Sequence, residues 1–258
     1  MNHSSLANRY SDISVLVWRS LRHISRNMDQ LLGLTIQPVM FMLLFGFVFG
    51  GAIDAGGNYI NFLTAGILIQ MAAFGATTTA LSVATDVRRG IVDRFKSLPM
   101  ASSAVMTGHV VGDLVRNLLS STVMIIVAFL IGFRPTATPL EWLYIIGLLL
   151  VFTFAFSWLS AIMGLLAKSA EAVQWMSFFV VFPLTFASAA FVPTDTMPKY
   201  LKLFAENQPV THVIEAMRAL MIGTPMGSHG FYAVLWCLAI TAVAIPIAAW
   251  LFRNRQVQ

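Results

Sequence analysis

Few residues of this 258-residue sequence have the types and spacing that catalysis requires. The sequence contains no GxxxxGK(S/T) phosphate loop, no HExxH or CxxC metal motif and no GxSxG nucleophile turn. Ser228 and His229 are adjacent, and adjacent residues rarely share an active site. His109 and His212 lack the short spacing of paired metal ligands. We therefore expect neither a catalytic residue nor a metal site in this chain.

Asp113 and Arg116 form the one charged pair that could serve ion-coupled transport. Pumps driven by protons or sodium usually need ionisable side chains at membrane depth, so Asp113 could relay a proton. At three-residue spacing on a helix, however, the two side chains also meet and neutralise each other. We favour this structural pair and keep the proton relay as the alternative.

The unusually apolar composition of the sequence predicts which kind of structure positions Asp113 and Arg116. Hydrophobic residues make up 58% of the chain, charged residues 10%, and the mean hydropathy is +0.78. Soluble domains carry about 25% charged residues, and disordered chains are poor in apolar residues. The composition argues against a soluble enzyme, a nucleic-acid-binding module and a disordered chain, and predicts one integral membrane domain. The single cysteine, Cys237, lies in an apolar run and is expected to be buried.

Six helical spans are predicted, because crossing a bilayer takes about 20 apolar residues. They cover residues 31–51, 59–84, 110–132, 142–167, 172–192 and 231–252. The third is uncharged only over 117–132, which is short, so it is extended back to about residue 110 and places Asp113 and Arg116 near one membrane face. The expected fold class is an all-α integral membrane protein with a single six-span domain over residues 31–252. An N-terminal region, residues 1–30, precedes the domain and a short tail, residues 253–258, follows it.

The distribution of lysine and arginine predicts the orientation. Twelve basic residues fall on the side of the two termini and four fall on the other side, namely Arg134, Lys199, Lys202 and Arg218. Because cytoplasmic loops carry the excess of basic residues, we expect both termini in the cytoplasm of a multi-pass cell-membrane protein. The net charge of +5 then reflects topology and contact with anionic lipids, and no nucleic-acid partner is expected.

A basic amphipathic helix is predicted over residues 12–28. At about 100° per residue, its apolar residues share one face, and the other face carries Arg19, Arg22 and Arg26. Such a helix lies in the membrane interface with its arginines at the lipid headgroups. Its role is either that of a topogenic flank or that of a contact with a cytoplasmic partner, and we favour the second.

The loop of residues 86–104, between the second and third spans, contains a short helical pattern. An apolar stripe formed by Val87, Ile91, Phe95 and Leu98 is surrounded by Arg88, Arg89, Asp93, Arg94 and Lys96. A helix this short is unstable alone in water, so the stripe needs a surface to bury against. The acidic residues among the basic ones favour a groove on a cytoplasmic protein over anionic lipid.

The outer segment of residues 193–230 is too charged to span the membrane, although it is partly apolar. Short re-entrant helices that dip into the outer leaflet before the last span are its expected form. Such helices are tolerated where protein buries their ends.

Three stretches of the sequence, in this order, resemble one transporter family. They are PVMFMLLFGFVFGG at 38–51, GIVDRFKSLPM at 90–100 and NQPVTHVIEAMRAL at 207–220. Together with the interfacial helix and the six spans, they resemble the permeases of type-2 ABC exporters, and most of all the daunorubicin/doxorubicin-resistance group. The resemblance covers nearly the whole chain.

This resemblance implies a dimer of permease chains, formed with a second copy or a paralogue, and a separate cytoplasmic ABC ATPase docked on each half. The loop helix would be the coupling helix that contacts the ATPase, through Val87, Arg88, Arg89, Ile91, Asp93, Arg94, Phe95 and Leu98. ATP and Mg²⁺ would bind to the partner ATPase, and this chain would bind no cofactor itself.

The resemblance also implies a translocation path at the dimer interface, lined by the second and fifth spans. The candidate path residues are Gln70, Thr77, Thr78, Phe178, Phe179 and Thr185. Their aromatic rings could stack on a flat substrate, while ordinary helix packing is the alternative for each residue. Export by alternating access would suit hydrophobic or amphiphilic drugs, lipids or lipid-like metabolites.

Two other functions remain open. The chain could be an ion-coupled secondary transporter that uses Asp113 as its relay. It could also be a non-transporting membrane scaffold or immunity protein that binds a partner and moves nothing.

Overall fold

The computed structural model describes residues 28–53, 55–88 and 102–254, and every regular element among them is helical. The α-helices are α1 Met28–Leu43, α2 Tyr59–Gly75, α3 Thr77–Arg88, α4 Ser102–Ile131, α5 Pro139–Leu166, α6 Ala170–Phe186, α7 Lys199–Asn207, α8 Pro209–Ile222 and α9 His229–Asn254. A π-helix, Leu44–Phe49, extends α1, and a 3₁₀ turn, Thr194–Thr196, precedes α7.

Four helical stretches are long and apolar enough to cross a membrane, namely Tyr59–Arg88, Thr107–Ile131, Pro139–Leu166 and His229–Phe252. Two shorter apolar helices, Thr35–Phe49 and Ala170–Phe186, occupy the positions of the first and fifth predicted spans. At 1.5 Å per residue, the 17 residues of α6 reach about 26 Å, somewhat less than the hydrocarbon core of about 30 Å. The all-α membrane architecture agrees with the sequence, and the count of six spans stays a prediction.

The fifth predicted span, residues 172–192, is helical only as far as Phe186. Beyond it the chain turns back against α2, where a Cβ atom on Gly66 would lie 2.2 Å from the carbonyl oxygen of Ala190. The hydroxyl of Tyr59 also donates a hydrogen bond of 2.7 Å to the carbonyl of Phe191. Hydropathy cannot detect this turn, because residues 187–192 are predominantly apolar whether they are helical or not.

The core of the protein lies between α2, α5 and α8. Most of its largest fully buried side chains come from these three helices, and they include Leu63, Ile67, Leu68, Ile69, Ile145, Phe152, Phe156, Ile214 and Met217. Cys237 of α9 is buried in the same core, as its apolar surroundings predicted. Although α8 belongs to the predicted outer segment, it is therefore an integral part of the packing.

Glycine lets α5 and α3 touch backbone to backbone. A Cβ atom on Gly164 of α5 would lie 2.3 Å from the carbonyl oxygen of Ala80 on α3. Because a backbone oxygen inside a helix cannot move aside cheaply, the contact requires glycine at this position.

Gly164→Val should lower the free energy of unfolding by at least about 1–3 kcal/mol, because the added side chain overpacks this contact. The melting temperature of the purified protein in detergent measures the effect. Gly147→Val on the same helix is the matched control, since a Cβ there meets no atom of the described residues within 4 Å. Equal melting temperatures of the two variants would contradict the prediction.

Candidate functional site

The six candidate path residues lie in different surroundings. Phe178 and Phe179 are exposed on α6, by 44% and 68% of their surface. Thr185, on the same helix, is buried, and its hydroxyl donates to the carbonyl of Val181 one turn earlier, at 2.8 Å. Thr185 therefore has a partner within its own helix and, unlike the two phenylalanines, is not exposed.

An aromatic ladder runs along α6 and crosses over to the first apolar helix. Its rings, in order, belong to Trp175, Phe178, Phe182, Phe186, Phe191, Phe45 and Phe49. Successive ring centroids lie 6.4, 4.8, 4.2, 5.0, 4.4 and 5.4 Å apart. These separations are close to the range in which aromatic pairs attract each other beyond simple burial.

The α6 end of the aromatic ladder is open to the surroundings of the chain. Trp175 is 63% exposed and Phe182 is 38% exposed, so no other described element covers this face. Of the ladder, sequence reasoning found only Phe178. The missed signal is a phenylalanine every fourth residue, at 178, 182 and 186 and again at 41, 45 and 49.

A cleft between α1 and α2 adjoins the aromatic ladder. Its empty volume is about 270 Å³, and it is lined by Gln37, Pro38, Phe41, Gln70, Met71 and Phe74. Phe41 belongs to both features, because its ring centroid lies 6.0 Å from that of Phe186 and 6.1 Å from that of Phe45. Of the candidate path residues, Gln70 is the one that lines this cleft.

A buried polar network surrounds Asp113 on α4. Its fully buried carboxylate accepts hydrogen bonds from Ser157 on α5, from Asn117 at 3.3 Å and from Thr78 on α3 at 3.3 Å. Arg116 lies 3.5 Å from the same carboxylate and also donates to the hydroxyl of Thr78. The ion pair expected from the three-residue spacing is present, and the network joins three helices. The candidate path residue Thr78 is part of this network.

A second polar contact joins α3 and α4 next to the coupling loop. The Oδ2 atom of Asp86 lies 2.9 Å from Nε2 of His109, and both side chains are partly exposed. Asp86 precedes residues 89–101 and His109 follows them, so the contact joins the two helices that flank that segment. Within the described ranges, no group of three His, Cys, Asp or Glu side chains could hold a metal ion.

Most of the predicted coupling residues lie outside the described residues. These are Arg89, Ile91, Asp93, Arg94, Phe95 and Leu98, and the same holds for Arg19, Arg22 and Arg26 of the predicted interfacial helix. The two predicted coupling residues that the structure describes, Val87 and Arg88, are the last residues of α3. Val87 is half-buried and packs against the cluster that contains Val83 and Val110, while Arg88 is exposed.

Arg218 on α8 is a buried cation that links the outer segment to α2 and to the turn after α6. It is 4% exposed and lies 3.5 Å from the centroid of the Phe62 ring. Its guanidinium donates to the carbonyl oxygens of Phe62 and Ala189 and to the carboxylate of Glu215, at 3.1, 2.5 and 2.5 Å. The distribution of basic residues placed Arg218 in the outer segment, and no sequence pattern indicated this buried role.

Two histidines meet where α8 packs against α9. The Nδ1 atoms of His212 and His229 lie 3.1 Å apart, and the ring of His212 stacks on Tyr232. Burial, and secondarily the charge of His229, lowers the pKa of His212 below its ordinary value of 6.5.

Stability should therefore fall as the pH drops below about 6.5, because unfolding frees His212 to take up a proton. A neutral His212→Gln variant should show a smaller loss of melting temperature between about pH 7.5 and pH 5.5. Identical pH dependence in the variant and the natural chain would contradict this assignment.

These observations define a class of protein: an integral membrane protein of apolar helices, with a polar network inside the bundle and an open aromatic face. A family model described as ABC-2 type transporter matches residues 11–222 of the sequence. The chain belongs to the ABC-2 type transporter family.

Curated relatives agree with this assignment. The daunorubicin resistance ABC transporter permease protein DrrB1 of Streptomyces coeruleorubidus is 32% identical over 244 residues, which cover 93% of this chain and 85% of the relative. The probable doxorubicin resistance ABC transporter permease protein DrrC of Mycobacterium tuberculosis is 24% identical over 89% of this chain and 84% of its own length. Nodulation protein J of Rhizobium leguminosarum bv. viciae is 25% identical over 93% of both chains.

The comparisons confirm the resemblance that the three sequence stretches indicated. The chain is a multi-pass membrane protein of a permease family, and membership implies a separate ABC ATPase subunit as its partner.

Proposed function

We propose that this chain forms the translocation path of an ATP-driven exporter for a hydrophobic or amphiphilic substrate, such as a drug, a lipid or a lipid-like metabolite. The observation that carries the proposal is the open aromatic ladder. A face of stacked rings favours flat or acyl substrates over ions, because it offers dispersion and stacking contacts but no ion ligands. The relatives named for daunorubicin and doxorubicin resistance support a flat aromatic substrate.

The path lies, in this proposal, between two permease chains that are either copies or paralogues. The open side of α6 presents Trp175, Phe178, Phe179 and Phe182 as one apolar patch. A second chain packed near this patch would enclose the aromatic ladder between two subunits. Alternating access would then open the enclosed path first to the cytoplasmic side and then to the outside.

The energy would come from ATP and Mg²⁺ bound to the partner ATPase, which docks on the coupling loop. Two contacts support transmission from that loop into the spans. The Asp86–His109 contact joins the two helices that flank the segment, and the Asp113 network joins α3, α4 and α5 about 12 Å further along α3. Motion of the loop would therefore reach α5.

The proposed topology has six spans with both termini in the cytoplasm of the cell membrane. The distribution of basic residues supports it, since twelve lie on the side of the termini and four on the other. The same topology places Arg19, Arg22 and Arg26 at the headgroups of the inner leaflet.

The decisive experiment is to purify the tagged chain from its native membrane in a gentle detergent and to identify its partners by mass spectrometry. We expect a stoichiometric partner with a Walker phosphate loop, and ATP-dependent uptake of daunorubicin into vesicles that contain both proteins inside out. A chain that purifies only with copies of itself, in several detergents, would contradict the proposal.

Phe95→Asp should abolish co-purification of the ATPase, because it places a charge in the apolar stripe of the predicted coupling helix. Membrane insertion should be unchanged, which membrane fractionation verifies. Phe95→Leu is the control, since it keeps the stripe apolar and should keep the ATPase bound. Full transport by the Phe95→Asp protein would exclude the docking assignment.

The Asp113 network bears on the ion-coupled alternative. Its carboxylate is held by several side chains of the same protein, as expected of a structural pair. Transport that needs no ATP and disappears in Asp113→Asn would favour the alternative. A scaffold or immunity protein, in turn, would bind its partner and transport nothing.

A further inference from the structure

The cleft between α1 and α2 is lined by a buried glutamine, Gln70. Gln70 is only 3% exposed, and its Nε2 atom has no hydrogen-bond partner among the described residues. A buried N–H group without an acceptor is costly. An acceptor oxygen that enters the cleft would recover the hydrogen bond once the amide rotates toward it.

The walls of the cleft are apolar around this donor. Phe41, Met71 and Phe74 line it, and the exposed Gln37 lies at its rim. Its volume of about 270 Å³ includes space open to the surroundings, so the cleft receives only a small group of a ligand. The rest of the molecule would extend along the aromatic ladder, which shares Phe41.

We propose that this cleft is a substrate subsite in which Gln70 donates a hydrogen bond to an oxygen acceptor of an otherwise apolar molecule. Carbonyl, ether and hydroxyl oxygens all satisfy this requirement. The inference rests on the proposed export function and adds the chemical feature by which the substrate is recognised.

In the proposed topology, the depth of Gln70 excludes a membrane lipid in its resting position. Gln70 lies eleven residues after Tyr59, the first residue of the predicted second span, which would place it about 16 Å into a hydrocarbon core of about 30 Å. The ester oxygens of bilayer phospholipids lie at the boundary of that core. The oxygen that reaches Gln70 therefore belongs to a molecule in transit, which is either a drug or a lipid displaced from its leaflet.

The test uses the complex of permease and ATPase in detergent, with two fluorescent probes, daunorubicin and an NBD-labelled phosphatidylethanolamine. Gln70→Met removes the donor and keeps a side chain of similar volume. It should weaken the binding of at least one probe about tenfold, the factor expected for one lost hydrogen bond. Weakening of daunorubicin binding alone identifies a drug-like ligand, and weakening of lipid binding alone identifies a displaced lipid.

A structural role for Gln70 predicts a different result. Because the Gln70 amide nitrogen has no partner within the described ranges, Gln70→Met should leave the melting temperature unchanged or raised while binding weakens. Thr153→Val is the matched control, since Thr153 on α5 is also buried with a hydroxyl that has no partner in the described part of the chain. This control should bind both probes normally.

Two negative results are distinguishable. If the natural complex binds a probe and Gln70→Met binds it equally well, the subsite is refuted and the export function stands. If the natural complex binds and transports neither probe, the proposed substrate class fails, and the subsite fails with it.

Discussion

Arg218→Met should be among the most destabilising single substitutions in this protein, with a loss of about 3–5 kcal/mol in the free energy of unfolding. The substitution removes the donor that pairs with the carbonyls of Phe62 and Ala189 and leaves Glu215 without its ion pair. The outer segment then loses its attachment to α2 and to the turn after α6. Thermal unfolding in detergent should show a large drop in melting temperature.

Lys202→Met is the matched control for Arg218→Met. Lys202 also forms ion pairs, with Asp195 at 2.5 Å and Glu206 at 3.6 Å, but on the surface of α7. Surface pairs contribute about 0–1 kcal/mol, so this variant should unfold close to the temperature of the natural chain. Equal drops in melting temperature for the two substitutions would show that the burial of Arg218 does not contribute to its effect on stability.

Asp113→Asn should be comparably severe, because it leaves the charge of Arg116 without a counter-charge inside the helix bundle. The expected loss is about 3–5 kcal/mol in the free energy of unfolding, together with loss of transport. Adding Arg116→Gln should restore a substantial part of both, because the double variant buries no unpaired charge. The coupling energy from this double-mutant cycle is the quantity to measure.

The same cycle separates the two interpretations of Asp113. If Asp113 relays protons, the second substitution cannot restore transport, because the titratable group is still missing. Asp86→Asn serves as the control, since Asp86 pairs with His109 at a partly exposed position and should have a much smaller effect on unfolding.

The sequence predicted the membrane architecture well because the bilayer imposes a simple rule. A helix that crosses it needs a long apolar run, and the described helices α4, α5 and α9 include most of the third, fourth and sixth predicted runs. The three-residue spacing of Asp113 and Arg116 likewise predicted a contact, because neighbours on one helix depend only on local geometry.

Contacts between distant parts of the chain could not be predicted in this way. The stacking of Phe45 on Phe191 joins residues almost 150 positions apart, and no local pattern specifies their meeting. The contacts of Arg218 could not be predicted for the same reason. A cation in an amphipathic segment indicates a polar position and gives no information about the carbonyls of a distant helix. The cleft at Gln70 also arises only when α1 packs against α2.

The contact of Gly164 with Ala80 also determines which parts of the chain can move separately. Where two helices meet backbone to backbone, no flexible side-chain layer lies between them, so α3 and α5 are displaced together. From Gly164 to its first residue, Pro139, α5 runs about 38 Å toward the predicted outer face as one unbroken helix. This single contact between small residues thus makes α3 and α5 one rigid unit. A partner ATPase docked on the predicted coupling loop would have to move both helices together.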